Sequence, residues 1–373
     1  VKEFKMIRRT NCALCKENLE FFHIIKDFPV YMGIRDKDEI QLYENMEFSS
    51  CSNCGCVQLS NLIDPKVLYK KPHNPAIGKT WELHNQELSN YIVFNNPKNA
   101  IDIGGANMKI ANAVCENSSI ISYTVCDLSA GLYDGKTNSK IKIIKDYVEN
   151  VKTDKKYDVA ILSHTLEHFY NPVDILLKIK NMLTDDGAII ISVPNIEQQL
   201  KDGFLNALNF EHTYYISHAY MNLMSKIAGL EIVDIHEFSR HNCFYKLKKI
   251  NEPKELVYDK LIAKNVYETF VKNLVEDVIN INSQIKGKKV YCFGGHIFTQ
   301  MLIAYGLNVE NLLGVLDNDK NKIGKFLYGS NLMIYNPSCI KQEKAPIVIV
   351  RTAQYKDEII ESIKIHNENV SII

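Results

Sequence analysis

The spacing of apolar and polar positions changes character along this chain. From 99 to 250 short apolar runs alternate with stretches of helical period: "NAIDIGG" and a helix; "SIISYTVCD"; "KIKIIKD"; "KYDVAILSH" and a helix over "VDILLKIKNML"; then "GAIIISVPN". "LEIVDIHEF" and "NCFYKLKKI" follow, close enough to pair as a hairpin. Such alternation predicts an α/β fold, a doubly wound sheet with helices on both faces. A second alternation occupies 287–370, with "KKVYCFGGH", a helix through "FTQMLIAYGL", "LLGVLDND" and "APIVIVRTA". Between the two, 253–285 reads mostly as helix and bridges them. Residues 66–96 read as a loop around Pro72 and Pro75, then a helix carrying the only tryptophan, Trp81. Residues 1–65 are short-patterned and polar, with no long helical period. Three domains are therefore expected: a small module at 1–65, an α/β domain with a helical lead-in at 66–250, and a Rossmann-like α/β domain with a helical linker at 251–373. No solenoid repeat or low-complexity tract interrupts them.

Composition narrows the function classes. The 373 residues are 46% hydrophobic and 24% charged, ordinary for a globular chain of two or three domains. Lys+Arg and Asp+Glu are both 44, so the net charge is zero and a chain-wide basic field for nucleic acid is missing. No apolar run approaches the ~20 residues of a membrane span, and the first residues lack a signal pattern. Ten cysteines, six of them scattered without rhythm, suit a reducing cytoplasm better than a disulfide framework. A cytoplasmic protein with a small-molecule substrate, no nucleic-acid or membrane partner, and a monomeric or small homo-oligomeric state is expected.

The remaining four cysteines have a pattern. "NCALCKENL" and "CSNCGCVQL" each contain C-x2-C, placing Cys12 with Cys15 and Cys51 with Cys54. Each pair can clamp one side of a tetrahedral zinc ion, and four protein ligands leave no open position for water, so the expected site is structural. It would offset the weak core of a small segment. The alternative is two coincidental pairs of buried thiols. Cys56 is offset by one from its pair and is expected to point elsewhere.

In the central domain, "AIDIGGANMK" is a strand ending in Asp102, then a Gly104–Gly105 turn and a helix start. A tight glycine turn at a strand's carboxyl end lets a cofactor approach the backbone. Asp127, at the end of the next strand, can accept hydrogen bonds from ribose hydroxyls, and Asp146 sits where an adenine amino group can be held. Alone this describes a generic nucleotide pocket, or a plain structural turn.

The stretch "KYDVAILSHTLEHFYNPVDILLKIKNMLTDDGAIIISVPN" resembles the S-adenosylmethionine-dependent class I methyltransferases, through Asp158, "LEH" at 166–168, "NP" at 171–172, the "DG" turn at 186–187 and "VPN" at 193–195. That resemblance implies a donor site formed by Asp102, Gly104, Gly105, Ala106, Asn107, Asp127, Asp146 and Ser163. Family turns carry glycine where Ala106 and Met108 stand, so Met108 is expected to crowd the donor. "CALC", "CSNCGCVQL", "IDPKVLY" and "FEHTYY" further resemble the sugar C-methyltransferases that act on nucleotide-linked keto-deoxysugars, over nearly the whole chain. The resemblance implies S-adenosyl-L-methionine and a structural Zn2+ as cofactors, with a zinc module that walls the sugar pocket.

Carbon methylation removes a proton beside a ketone, and the resulting enolate attacks the methyl group. A histidine near neutral pKa suits that step. The resemblance makes His212 in "NFEHTYYISH" the general base, Glu211 its orienting or sugar-holding neighbour, and His168 a substrate-facing histidine. Where the family carries tyrosines, this chain has Asn209 and His73, each still able to donate a hydrogen bond to an enolate oxygen. The acceptor atom therefore stays open: O- or N-methylation on the same scaffold is one alternative, and a non-catalytic zinc-bearing partner protein is another, motivated by Ala106 and Met108. In the third domain Gly294, Gly295 and Asp317 imitate a dinucleotide-binding start, but Phe298 and Thr299 stand around the place of a third glycine. His296 at that turn is expected either to face the cleft or to pack.

Overall fold

A computed structural model describes residues 5–70, 79–130, 138–250 and 262–373. Its central element is a seven-stranded sheet. In spatial order the strands are Leu230–Ser239, Asn242–Lys249, Leu183–Pro194, Tyr157–Ser163, Asn99–Ile103, Ser122–Cys126 and Ile141–Ile144. Asn242–Lys249 alone runs against both neighbours, and the other five strands from Leu183–Pro194 to Ile141–Ile144 pair in parallel. The chain starts in the middle at Asn99–Ile103, winds outward to one edge, then returns to the other side through Tyr157–Ser163. The reversal leaves a crevice at the carboxyl ends of those two strands, where open α/β sheets bind ligands. Central strands lie between helices on both faces and so read as unbroken apolar runs: Ile161, Leu162, Ile189 and Ile190 are fully buried.

The cysteine-bearing segment is a β module. Leu19–Pro29 pairs antiparallel with Tyr43–Cys51, which pairs with Val57–Leu59. Register shifts between Phe21 and His23 and between Ile25 and Phe28 break the two-residue alternation that would have marked the long strand in the sequence. The third domain has a parallel five-stranded sheet in the order Ile334–Tyr335, Leu312–Leu316, Val290–Phe293, Ile347–Val350, Ser371–Ile372. It is reached through the helix Ala263–Ile285, whose apolar stripe of Tyr267, Phe270, Leu274, Val278, Ile281 and Ile285 is buried. Tyr267 packs on Phe22, His23 and Phe48 of the cysteine module, with ring centroids 5.5, 5.5 and 4.7 Å apart. Ile34–Arg35 also pairs with Phe326–Leu327 of the third domain. The cysteine-bearing β segment thus contacts both the linking helix and the strands beside the five-stranded sheet.

Its other side grips the central domain. Leu59 N–H donates to the Thr213 carbonyl at 2.8 Å, and Tyr215 N–H donates to the Val57 carbonyl at 2.8 Å. Arg9, buried, donates to the carbonyls of Leu59, Thr213 and Tyr170 at 3.1, 3.2 and 2.9 Å. Arg9→Met is therefore expected to lower unfolding free energy by about 2–4 kcal/mol, because three buried acceptors lose a charged donor. Urea denaturation checks this; a change under about 0.5 kcal/mol, the size of an ordinary surface substitution, would show that the Arg9 contacts do not hold the interface.

Candidate active site

The glycine turn lies at the crevice. Gly104 has φ +82°, and a Cβ there would run into the Thr165 side chain, so glycine is favoured both by conformation and by space. A Cβ on Gly105 would meet the Asp102 carboxylate at 2.5 Å. Asp102 is buried beneath the turn: Oδ2 accepts from Tyr123 at 3.1 Å, and Oδ1 has no hydrogen-bond partner. Burial leads in pushing its pKa up to about 7. Asp102 thus supports the turn from below, while Ala106 and Asn107 lie at its more open side, Asn107 Oδ1 accepting from Lys109 N–H at 3.0 Å.

Met108 differs from expectation. It has φ +53° at the start of the helix Lys109–Asn117 and is only 4% exposed, part of the apolar cluster with Leu88, Ile92 and Val114. The left-handed backbone turns its side chain into the core. Asp127 follows Ser122–Cys126 and is half-buried, with Oδ1 accepting from Ser129 N–H at 2.6 Å. One oxygen of Asp146 accepts from Tyr147 N–H at 2.7 Å and from Asn150 Nδ2 at 2.8 Å, capping the following turn. Ser163 ends Tyr157–Ser163, and its carbonyl accepts from Thr165 at 3.1 Å. A glycine cradle, an orphaned carboxylate oxygen beneath it and a carboxylate on the adjacent strand fit a nucleoside-bearing donor.

Beside the turn, two segments converge. One is the single turn Leu166–His168 after Tyr157–Ser163; the other is the loop holding Asn209, Glu211 and His212. Ligand atoms of Glu167, His168 and His212 all lie within 4.8 Å of one another, and the two imidazoles are 5.1 Å apart. Asn209 Oδ1 accepts from the backbone N–H of both Glu211 at 2.7 Å and His212 at 3.1 Å, an Asx-type turn that bends the loop. Asn209 is buried and spends its side chain on the backbone. His212 Nδ1 lies 3.4 Å from the Ala207 carbonyl, a contact only a protonated nitrogen makes, so Nε2 keeps its lone pair. Burial lowers the His212 pKa, opposed by the charges of Glu167 and Glu211. Tyr69 of the cysteine module's exit segment reaches His168 Nδ1 at 3.4 Å. His73 lies outside the described residues.

Several site residues escaped the sequence reading. Glu167 sits within the quoted "LEH", and Tyr69 within "IDPKVLY". His164, Ser192 and Asn242 lie in runs read only as strands, and His84 lies in none. They meet only in three dimensions, around the buried His84–Ser192 hydrogen bond of 2.8 Å.

The four paired cysteines do come together. Cys12 and Cys54 sulfurs are 3.7 Å apart and those of Cys15 and Cys51 3.4 Å, and all four sulfurs lie within 4.8 Å of one another. That spacing fits edges of a tetrahedron with metal–sulfur bonds of about 2.3 Å. Gln58 Nε2 and Leu14 N–H donate to Cys12 sulfur at 3.2 and 3.4 Å, the outer hydrogen bonds a thiolate needs. The contact with Cys15 leads in pulling Cys12 down to about 6, while its neighbours push Cys54 up: four thiols so close cannot all ionise without a cation. Cys56 stands outside the cage, its thiol directed at the Tyr215 carbonyl at 3.7 Å.

In the third domain, Asp317 is committed to the chain itself. Oδ2 accepts from Gly295 N–H at 2.9 Å and Lys322 at 3.0 Å, and Oδ1 accepts from Asp319 N–H at 2.9 Å. His296 precedes the helix Ile297–Ala304 at its N-cap, and its ring lies 6.2 Å from that of Phe298. Among the described residues no helix is long and apolar enough to cross a membrane.

Residues 82–235 match the methyltransferase domain family, and residues 255–373 match the C-methyltransferase C-terminal domain family. The ubiquinone biosynthesis O-methyltransferase of Rickettsia bellii is 24% identical over 168 residues, 44% of this chain and 65% of that relative. The same protein from a second strain matches equally. The chain thus spans just under two thirds of the length of these curated relatives. Among solved structures, an O-methyltransferase family protein from Burkholderia thailandensis aligns with 46% of this chain and 57% of its own, at 14% identity and TM-score 0.37. Human N-acetylserotonin methyltransferase aligns with 46% of this chain and 53% of its own, at 15% identity and TM-score 0.39.

Proposed function

We propose that this protein, an S-adenosylmethionine-dependent methyltransferase with a class I fold, methylates carbon on a nucleotide-linked keto-sugar, with His212 as the base. The observation that carries this reading is the meeting of His212, His168 and Glu167 beside the glycine turn, on a loop clamped by the cysteine module. The match of 255–373 to a C-methyltransferase C-terminal domain supports carbon as the acceptor. We further divide the chain near residues 65 and 250, with the third domain completing the substrate cleft, and read the cysteine cage as structural Zn2+.

When bound, the donor supplies a methyl group on a positively charged sulfur, open to in-line displacement. Everything else falls to the chain. The glycine turn and Asp127 hold the nucleoside end, fixing the direction from which the methyl is presented. His212 Nε2 takes the α-proton of the ketone, while the Tyr69–His168 pair offers one hydrogen bond to the oxygen that gains charge, from His168 Nε2–H when Tyr69 donates to Nδ1. Glu211 orients the sugar. The curated relatives named above are O-methyltransferases, which favours a second reading, transfer to a hydroxyl with His212 removing the hydroxyl proton. The experiment that separates the two is location of the transferred methyl by NMR after incubation with sugar nucleotides.

Asp127→Ala is expected to weaken S-adenosylmethionine binding by about 1.5–3 kcal/mol, the worth of hydrogen bonds to a charged acceptor. Titration calorimetry measures it. Unchanged affinity would place the ribose elsewhere, and wild-type protein that binds no donor would favour the non-catalytic alternative.

A further inference from the structure

A hydrogen-bond chain runs into the site from behind. His84, on the helix Lys79–Phe94, lies with Nε2 2.8 Å from Ser192 Oγ. Ser192 donates to Asn242 Oδ1 at 3.1 Å, and Asn242 Nδ2 is 2.5 Å from His164 Nε2. His164 Nδ1 is 3.2 Å from Glu167 Oε1. Ser192 has one hydroxyl proton and spends it on Asn242, while His84 contacts Ser192 through Nε2 and Asn85 Oδ1 through Nδ1 at 3.4 Å, so its tautomer sets the direction of the first link. The Asn242 oxygen is taken, so its amide N–H is the donor at the third link. His164 Nε2 must then accept, and its proton resides on Nδ1, facing Glu167. From Ser192 onward each link points the same way, and the chain ends on a carboxylate with 0% exposure whose second oxygen, Oε2, has no hydrogen-bond partner.

We infer that Glu167 is a positioning residue of the reaction: its charge, locked by the relay from His84 through Ser192, Asn242 and His164, holds the His212 and His168 imidazoles and stabilises the imidazolium formed when His212 takes the substrate proton. The inference rests on the proposed methyl transfer for its catalytic meaning, though not for its electrostatics. Glu167 stays ionised throughout; the proton goes from substrate carbon to His212 Nε2 and no further. Burial of Glu167 opposes its ionisation, but the His164 hydrogen bond and the nearby histidines outweigh that and hold the pKa at about 2. A buried carboxylate at this distance matters because the low local dielectric magnifies its field. The groups facing His212 are Glu167, His164 and His168 from the strand end and its turn, and Glu211 from its own loop.

The test uses the full chain with Glu167→Gln, which keeps the shape and removes the charge. Histidine-labelled protein is titrated by NMR, with His212→Asn identifying the resonance. Loss of a nearby opposite charge should move the His212 titration down by about 1 unit or more. The acid limb of the pH–rate profile should move down with it, and kcat should fall at least tenfold while the KM for donor holds. Asn242→Leu, which removes the donor to His164 and leaves the carboxylate in place, should lower kcat less and move the titration less. An unmoved His212 titration in Glu167→Gln overturns the inference, whatever happens to turnover. A shifted titration in a protein that methylates nothing leaves the inference standing and defeats the proposed function instead. Elemental analysis adds a third arm: a second metal ion per chain, lost in Glu167→Gln, would assign Glu167, His168 and His212 to an ion and overturn the positioning role.

Discussion

His212→Asn is expected to slow turnover by roughly 10²–10⁴-fold, the usual worth of a positioned acid–base group, with donor affinity nearly unchanged. Asparagine retains a donor that can still reach the Ala207 carbonyl and keeps the Asx-type turn made by Asn209, since that turn uses the backbone N–H of residue 212. What is lost is the lone pair on Nε2. Isotope exchange then tells carbon from oxygen acceptors. With a keto-sugar in deuterated water, a base that forms an enolate exchanges the α-proton even without donor, and His212→Asn should abolish the exchange. Hydroxyl methylation gives no reason for a carbon-bound proton to exchange. Full activity in the variant would remove His212 from the mechanism and leave His168 or His73 as the base to test next.

Metal removal should have the largest effect on stability. Protein purified without added metal should hold about one zinc per chain, since four cysteines close one tetrahedral site. Structural zinc in finger peptides contributes about 10–16 kcal/mol at neutral pH, more than the whole stability of many domains. The consequence reaches beyond the module. Val57–Leu59 pairs with Thr213–Tyr215, directly after His212, and Tyr220 donates to the Cys54 carbonyl at 3.2 Å. Chelation, or Cys12→Ser, should therefore reduce solubility and release the His212 loop, read as lost hydrogen-exchange protection at 207–216. A metal-free protein with wild-type melting and protection would contradict the cage.

The central sheet was readable in the sequence for a physical reason: parallel strands buried on both faces must be apolar throughout, as in "DVAILS" and "AIIISV". The four zinc-ligand candidates were readable because a tetrahedral site imposes short spacing on each pair. The long strand Leu19–Pro29 was not, since its bulges erase alternation. Met108 was misjudged because the sequence does not display the left-handed backbone that turns its side chain inward. The relay behind Glu167 was invisible for another reason. Residues 84, 164, 192 and 242 come from separate helices, turns and strands, and only the sheet brings them together. Glu167 stood in plain view beside His168, yet adjacency in sequence does not reveal which of two neighbours is buried.

The most direct measurement is incubation of the wild-type chain with methyl-labelled S-adenosylmethionine and a panel of keto- and hydroxy-sugar nucleotides, followed by mass spectrometry and NMR. The account predicts one new methyl bonded to carbon next to the ketone of a keto-sugar nucleotide, absent with His212→Asn. A label bonded to oxygen or nitrogen, or a wild-type chain that leaves every sugar nucleotide unlabelled, would contradict it.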